Sequence, residues 1–245
     1  MIEFEDRAVA FIDILGFKAL VNKATTNSDS LSRLSNLVLL LESAVPSFDK
    51  EVDFSVPPHL IPKHIYISDC IILSAPLSDS AFKSYNGLEI IVMRVIQLTH
   101  FFLNAGYLIR GGISVNKVWH TYSNIVGPAY QEAYLLESNG NEPIVVLSES
   151  AASKINLNGS RMCLQMSGKT FVNGLHDFYI PNNIEHGVIE ETYKRYKELV
   201  DNKLLSNLPV SAKDKWSWFK TYLEAESEEG LQWAAHSADL AYLQL

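Results

Sequence analysis

The sequence predicts an α+β fold, a mixed sheet with helices packed on one face, followed by a helical extension. Strand-like and helical patterns alternate in the order βα, ββ, αβ and αβ, and a final antiparallel pair closes the series. The chain has 245 residues, 47% of them hydrophobic, which suits one sizeable core. The composition changes after Pro181, so we expect a sheet domain over 1–181 and a helical C-terminal extension over 182–245.

Each element follows from a local pattern of apolar residues and turn formers. The predicted strands are 8–14, 63–67, 70–75, 107–115, 143–147, 161–166 and 170–180, with a further strand or loop through 117–126. The predicted helices are 31–45, 86–104, 129–138, a short one from Ser148 or Glu149, 189–207, 213–226 and 231–245. We expect Asp29 or Ser30 to cap the first helix, a proline-rich loop over 46–62, and a turn at Asn173-Gly174.

The charge and the cysteines narrow the possible settings. A formal charge of −8 and a pI of about 5.4 argue against a broad nucleic-acid surface, which needs a basic face. The longest apolar stretches carry charges, so no membrane span is expected. Cys70 and Cys163 lack partners at metal-binding spacing and are expected to be reduced core residues. Because the chain opens on acidic residues rather than a basic leader, we expect a cytoplasmic protein.

Two carboxylates stand inside apolar runs, and they are the main candidates for function. Asp13 interrupts a strand-like run that ends before Gly16 and Phe17, and Asp69 follows Ser68 at the turn between two apolar strands. A charge in such a place is costly unless it is paired or binds a cation. Asp13 alone could equally be a helix cap, and Asp69 alone a turn residue. Together they are typical of a site for divalent ions that bind phosphates.

Several segments in chain order resemble motifs of the class III nucleotidyl cyclases. They are Phe11-Ile-Asp-Ile-Leu-Gly-Phe17, Ser68-Asp69, Arg110-Gly-Gly-Ile-Ser114, Asn124-Ile-Val-Gly127 with Ala133 and Leu136-Glu-Ser138, and Phe171-Val-Asn-Gly-Leu-His-Asp-Phe-Tyr179. The resemblance covers 8–180 and implies that family's ferredoxin-like sandwich. Residues 182–245 have no counterpart in it.

The resemblance also implies a set of metal and phosphate ligands. Asp13 and Asp69 would hold two divalent ions, Mn²⁺ or Mg²⁺, and Ile14 would add a backbone carbonyl. The amides from Leu15 to Phe17, with Gly16 between them, would lie against the triphosphate. In this family the site forms between two subunits, so a homodimer with two equivalent sites is implied.

The chain departs from the family where the base is read. Ile65 and Asn124 occupy the positions of the Lys and Asp that recognise adenine, so a charged pair is replaced by an apolar side chain and an amide. An amide both donates and accepts hydrogen bonds and could therefore read a pyrimidine. Tyr66, beside this strand, could fill the space that a purine needs, unless its side chain points away.

The chain also departs from the family at the transition-state groups. Gln131 and Leu135 stand where the family has Asn and Arg. Gln131 can still donate a hydrogen bond, whereas Leu135 cannot stabilise phosphate charge. Arg110, Lys18 and Lys63 are candidates for the missing cation, and Arg110 could equally form an ordinary ion pair at a strand end.

One branch of the family fits these departures. The IDILGF motif and Gly127-Pro-Ala-Tyr-Gln-Glu-Ala-Tyr-Leu-Leu-Glu137 resemble the pyrimidine cyclases of Pycsar antiphage defence. The resemblance implies conversion of UTP or CTP to a cyclic nucleotide that a separate effector protein reads, with uridylate cyclase favoured over cytidylate cyclase. Leu135 leaves open a catalytically inactive nucleotide-binding or interaction module. A structural protein in which Asp13 only caps a helix is a further alternative.

The aromatic segment Trp216-Ser-Trp-Phe219 has near-helical spacing. Aromatic residues with this spacing are typical of a packed core, and we expect the C-terminal extension to pack through them on the sheet domain or on a partner subunit. A lid or a brace between subunits is the alternative role.

Overall fold

The computed structural model describes residues 2–155 and 160–242. Its strands are β1 Glu5–Ile14, β2 Lys63–Ile67, β3 Cys70–Pro76, β4 Ile109–His120, β5 Ile125–Val126, β6 Val145–Leu147, β7 Cys163–Met166 and β8 Lys169–Val172. Its helices are α1 Phe17–Ala24, α2 Ser28–Asp49, α3 Gly87–Asn104, α4 Pro128–Ser138, α5 Glu149–Ala152, α6 Val188–Leu205 and α7 Val210–Tyr242. Short 3₁₀ turns cover Pro58–Leu60 and Asp177–Tyr179.

The strands form a mixed sheet in the order β2-β3-β1-β4-β6-β8-β7, with β5 paired to β4. β1 lies between β3 and β4 and is antiparallel to both, while β4 and β6 are parallel. The predicted α+β class is confirmed, and so is the hairpin beside the first strand. Because β1 is bonded on both sides, the residues at its end are held in a fixed register.

Helices cover both faces of the sheet, so the expectation of a single covered face is wrong. Alternate residues of β1 explain this, since Ala10 and Ile12 join the main core with α2 and α3, whereas Val9 and Phe11 pack under α4. Gly112 allows α4 to lie close to β4, because a Cβ there would come within 2.4 Å of the Ala133 carbonyl oxygen. The odd-numbered face of β1 is therefore also buried.

The first helices differ from their predicted bounds. α1 was not predicted, and α2 begins after Asn27, whose side chain accepts a 2.7 Å hydrogen bond from the Ser30 amide; the cap is therefore neither Asp29 nor Ser30. The predicted loop 46–62 is wrong at its start, because α2 continues through Pro46 to Asp49.

The last hairpin turns earlier than predicted. The two residues between β7 and β8 are Ser167 and Gly168, with φ of 52° and 78°, the left-handed pair that a tight hairpin turn requires. The Asn173-Gly174 turn expected from the sequence comes after β8 instead. The predicted strand 170–180 therefore ends at Val172.

The two C-terminal helices pack on the sheet domain. The predicted helices 213–226 and 231–245 fall in one helix, α7 Val210–Tyr242, and the last three residues of the second prediction lie outside the described residues. Trp216 and Phe219 are buried, so the core role expected for the aromatic segment is confirmed for these two side chains. None of the described helices has both the length and the apolar character to cross a bilayer.

Candidate functional site

The candidate site is built on one row of side chains across three strands. Asp13 of β1 lies opposite Cys70 of β3 and opposite Arg110 of β4. The alternation of the strands turns these three residues toward the face covered by α4. Asp13 is inside a strand and is not a helix cap, because Gly16 is the cap residue of α1. The alternative in which Asp13 only caps a helix is therefore wrong.

Asp69 reaches the same place from the β2–β3 turn. Ser68 adopts a left-handed φ of 58°, which tightens the turn before Asp69. Asp13, Asp69 and Cys70 each offer one ligand atom, and these atoms all lie within 4.8 Å of one another. The structure thus brings together the two carboxylates singled out in the sequence and adds a thiol, whose sulfur is 4.0 Å from Asp13 Oδ1.

The two carboxylates repel each other at this distance. Burial raises the pKa of Asp13 to about 6, and the negative charges of Asp69 and Glu137 act in the same direction against the opposing charge of Arg110. Burial also raises the pKa of the Cys70 thiol to about 12, with Asp13 as the next cause. The row is therefore short of positive charge, which is the electrostatic condition for binding a cation.

Arg110 links Asp13 to a third acid that sequence reasoning missed. Its Nε donates to Asp13 Oδ2 at 3.2 Å, its Nη2 lies 2.6 Å from Glu137 Oε1, and its Nη1 donates to the Gly140 carbonyl at 3.1 Å. Glu137 is buried on α4, four and eight residues after the buried Ala133 and Ala129. That spacing is the signal that could have identified it.

The loop after β1 begins at Leu15, two residues beyond Asp13. Ile14 is buried, so only its backbone could serve a ligand. Gly16 has a φ of 91°, and the first turn of α1 after it has no side-chain cap. The Leu15 amide donates to the Leu108 carbonyl at 2.9 Å, so the expectation that this amide faces a phosphate is wrong. Gly16 and Phe17 are the remaining backbone donors of the predicted set.

A cavity of about 500 Å³ lies at the other end of α4. Ile65 and Asn124, which the sequence paired as base-reading residues, both line it. Its other walls come from two strands, the β4–β5 turn and the first turn of α4, with the residues His64, Tyr66, Ile67, Tyr122, Ser123, Ile125 and Tyr130. Tyr122 lies in no motif that could have marked it, whereas Tyr130 belongs to the segment 127–137, to which no base-side role was given.

Tyr66 borders the cavity, but its ring packs on the opposite face, against the main core. Its hydroxyl lies 3.4 Å from the Glu42 carbonyl and donates to it. Pro46 has no N–H to bond that carbonyl four residues earlier in α2. Tyr66 therefore has a structural role, which matches the alternative left open in the sequence, that its side chain points away from the base.

Asn124 is only partly available to a ligand. Its Oδ1 accepts a 2.8 Å hydrogen bond from the Ile125 amide. Asn124 itself is exposed and lines the cavity. The side-chain amide nitrogen is the donor that remains for recognition.

The remaining candidates lie apart from the acids. Gln131 and Leu135 are exposed on α4. The Lys63 amine donates to the His120 carbonyl at 2.9 Å, and Lys18 is exposed in the first turn of α1. Of the three candidate cations, Arg110 is the one that directly contacts the acidic row.

No protein-family model and no curated protein matches the chain. Solved structures do resemble it. A guanylyl cyclase domain of a RhoGC fusion protein from Blastocladiella emersonii is 16% identical, with a TM-score of 0.48 over 71% of this chain and 98% of that one. A bacterial light-regulated adenylyl cyclase is 12% identical, with a TM-score of 0.43 over 79% and 99%.

A third similar structure is a class III adenylyl cyclase-like ATP-binding protein from Pseudomonas aeruginosa. It is 13% identical, with a TM-score of 0.44 over 77% of this chain and 40% of that one. These values are too low for the likeness to say anything about this chain's substrate or partners.

Proposed function

We propose that this chain is a pyrimidine nucleotide cyclase that converts UTP or CTP to the 3′,5′-cyclic nucleotide and pyrophosphate. The observation that carries the proposal is the convergence of the partly buried Asp13 and Asp69, whose ligand atoms lie within 4.8 Å of each other. Two close carboxylates destabilise a fold unless a cation joins them, so their presence suits a site for metal and phosphate.

The residues fit divalent ions of the Mg²⁺ and Mn²⁺ type. Asp13 and Asp69 would hold two such ions, with the Ile14 carbonyl as a further oxygen ligand. Bound there, the ions would lower the pKa of the ribose 3′-hydroxyl and offset phosphate charge. The elevated pKa of Asp13, about 6, supports the fit, since a carboxylate short of positive charge gains most from a cation.

The chain itself supplies the positioning groups. The amides of Gly16 and Phe17 would bind phosphate oxygens at the start of α1. Arg110, itself held by Glu137, contacts Asp13 directly and would offset the negative charge of Asp13 and Asp69. Gln131 would donate a hydrogen bond to the reacting phosphate, while Leu135 offers no charge there.

The preference for a pyrimidine rests on the cavity beside Ile65 and Asn124. The cavity offers an apolar wall and one free amide donor in place of the charged pair that reads adenine. This lining suits a small base. We favour UTP over CTP from the sequence resemblance to the Pycsar cyclases. The same resemblance supports a cytoplasmic antiphage role, in which a separate effector protein reads the cyclic product.

We propose a homodimer as the working unit. The cavity touches Tyr130 and the acidic row touches Glu137, seven residues further along α4, a separation of about 10 Å. Tyr134 and Leu135 expose 47% and 54% of their surface nearby, which leaves apolar area for a second copy. In such a dimer the cavity of one subunit would face the acids of its partner.

The test is incubation of the purified protein with each of the four NTPs and Mn²⁺, with products identified by mass spectrometry. We expect cyclic UMP or cyclic CMP, and we expect Asp13→Asn and Asp69→Asn to lower the rate by ~1,000-fold or more. Asp6→Asn is the matched control, an exposed acid at the other end of β1 whose loss leaves the rate unchanged. Cyclic purines, or activity retained in Asp13→Asn, would overturn the proposal.

Leu135 favours one second candidate, a module that binds a nucleotide without turning it over. It replaces a cation and exposes 54% of its surface. Metal-dependent binding of UTP or CTP in calorimetry, with no product after prolonged incubation, would identify this function instead.

A further inference from the structure

The loop Leu15–Phe17 lies between the acidic row and the C-terminal helices. It follows Ile14, the last residue of β1, and leads into α1. On the proposed function this loop carries phosphate donors, so its position decides how well substrate is held. What fixes the loop is therefore part of the site.

Leu15 packs into an apolar cluster built largely by the C-terminal helices. We call this the C-terminal cluster, and its buried members are Leu103, Leu108, Leu175, Ile180, Tyr193, Tyr196, Val200, Trp216, Phe219 and Leu223. The Leu15 amide is also bonded to the carbonyl of Leu108, a member of that cluster. Both the side chain and the backbone of Leu15 therefore contact the C-terminal cluster.

The C-terminal cluster is anchored on several sides. Lys203 of α6 lies 5.9 Å from the Tyr107 ring centroid and 5.5 Å from that of Trp216, joining both helices to the turn before β4. His100 of α3 bonds the Tyr196 hydroxyl of α6 at 3.0 Å. An arrangement with so many independent contacts moves little as a unit, so the position it gives Leu15 is well defined.

We propose that Leu15 is a positioning residue through which the α6–α7 pair sets the phosphate-binding loop. The inference rests on the proposed function for its catalytic consequence and on geometry alone for its structural one. Residues 182–245 have no counterpart in the family motifs, so this support belongs to this chain. Without the packing of Leu15, the Gly16 and Phe17 amides would lose a fixed direction.

The test compares Leu15→Ala with Ile189→Ala in the full chain. Ile189 is the matched control, because it packs against the same cluster and loses the same three carbons. Ile189 stands at the start of α6. It lies fourteen residues, or about 21 Å along the helix, from Lys203, the α6 residue that contacts the Tyr107 and Trp216 rings. Leu15→Met keeps the packing volume and is the conservative variant.

Hydrogen exchange of the peptide 14–20 is the first readout. We expect Leu15→Ala to raise its exchange rate by ~10-fold or more, with little change in Ile189→Ala and with recovery in Leu15→Met. The second readout is kinetic. We expect the two alanine variants to lose the same amount of Tm, whereas KM for the nucleotide rises ~10-fold in Leu15→Ala and not in Ile189→Ala.

Equal exchange and equal KM in the two alanine variants would overturn the proposal. Should Leu15→Ala fail to fold, Leu15→Val removes a single carbon and must show the same changes at smaller size. If the wild-type chain forms no cyclic product, the proposed function fails, whereas the exchange comparison still decides whether Leu15 fixes the loop.

Discussion

Two carboxylates, the partly buried Asp13 and the buried Glu226, have opposite surroundings in the fold. Both oxygens of Glu226 lie 2.8 Å from Arg161 Nη2, and Asn173 Nδ2 donates to one of them at 2.8 Å. Asp13 has one ion pair at 3.2 Å and faces a second carboxylate. Glu226 is a fully paired charge that stabilises the C-terminal helices, whereas Asp13 is an incompletely paired charge that costs the fold stability.

The largest expected effect on stability comes from Glu226. We expect Glu226→Ala to lower the free energy of unfolding by about 3 kcal/mol, because it breaks a buried pair that joins α7 to the last hairpin. Denaturant unfolding would measure it. Glu224→Ala on the same helix is the control, since its side chain is 53% exposed and its loss is expected to matter by less than about 0.5 kcal/mol. Equal losses would break the comparison.

Asp13 should behave in the opposite sense. Its pKa of about 6 lies above the ordinary value, so the unfolded chain releases its proton first and stability is lost as pH rises from about 4 to above 6. At pH 7 with chelator present, we expect Asp13→Asn to raise the free energy of unfolding by about 2 kcal/mol, after allowance for partial solvent exposure. The gain should vanish near pH 4, and a loss at pH 7 would contradict the assignment.

The smallest expected effect is a pH dependence located between α3 and α6. Burial lowers the pKa of His100 to about 4, below its ordinary value, so the unfolded chain takes up the proton first and stability is lost as pH falls below about 6.5. We expect the His100 contribution to fall by somewhat less than about 2 kcal/mol between pH 7 and pH 5. Thermal unfolding of His100→Gln beside the wild type should show a flatter pH profile. Parallel profiles would contradict it.

Acidification therefore acts oppositely on the two regions. Lowering the pH raises stability through Asp13 and lowers it through His100. A variant that lacks one of these groups therefore shows the pH dependence contributed by the other. Measuring both variants over one pH series would separate the electrostatics of the site from those of its support.

The sequence predicted the elements that local patterns decide. The hairpin over 63–75, the helix that became α3 and the meeting of Asp13 with Asp69 were predicted from alternation, caps and apolar runs. α2 was misjudged because Pro46 ordinarily ends a helix. The Tyr66 hydroxyl, from a distant strand, donates to the Glu42 carbonyl that Pro46 leaves without its helical bond. No local signal encodes that contact.

The same limit applies within the site. Ile65 and Asn124 were paired from the family comparison, and they line one cavity. The spacing from Ala129 and Ala133 places Glu137 on their helix face, but that this face is buried follows from α4 lying on Gly112, a contact between distant segments. The direction of the Tyr66 side chain was left open from the sequence, and the pairing of Tyr66 with Ile71 places it on the face of the main core.

The central place of β1 has a consequence for how such a chain can change over generations. Asp13 stands on a strand bonded on both sides, whereas Ile65 stands on β2 at the edge of the sheet and Asn124 in the turn after β4. Substitutions at an edge or a turn disturb few backbone bonds, while those in a central strand disturb many. On the proposed function, residues beside the base can therefore be replaced at little cost to the fold, whereas Asp13 is the site residue that the central strand constrains most.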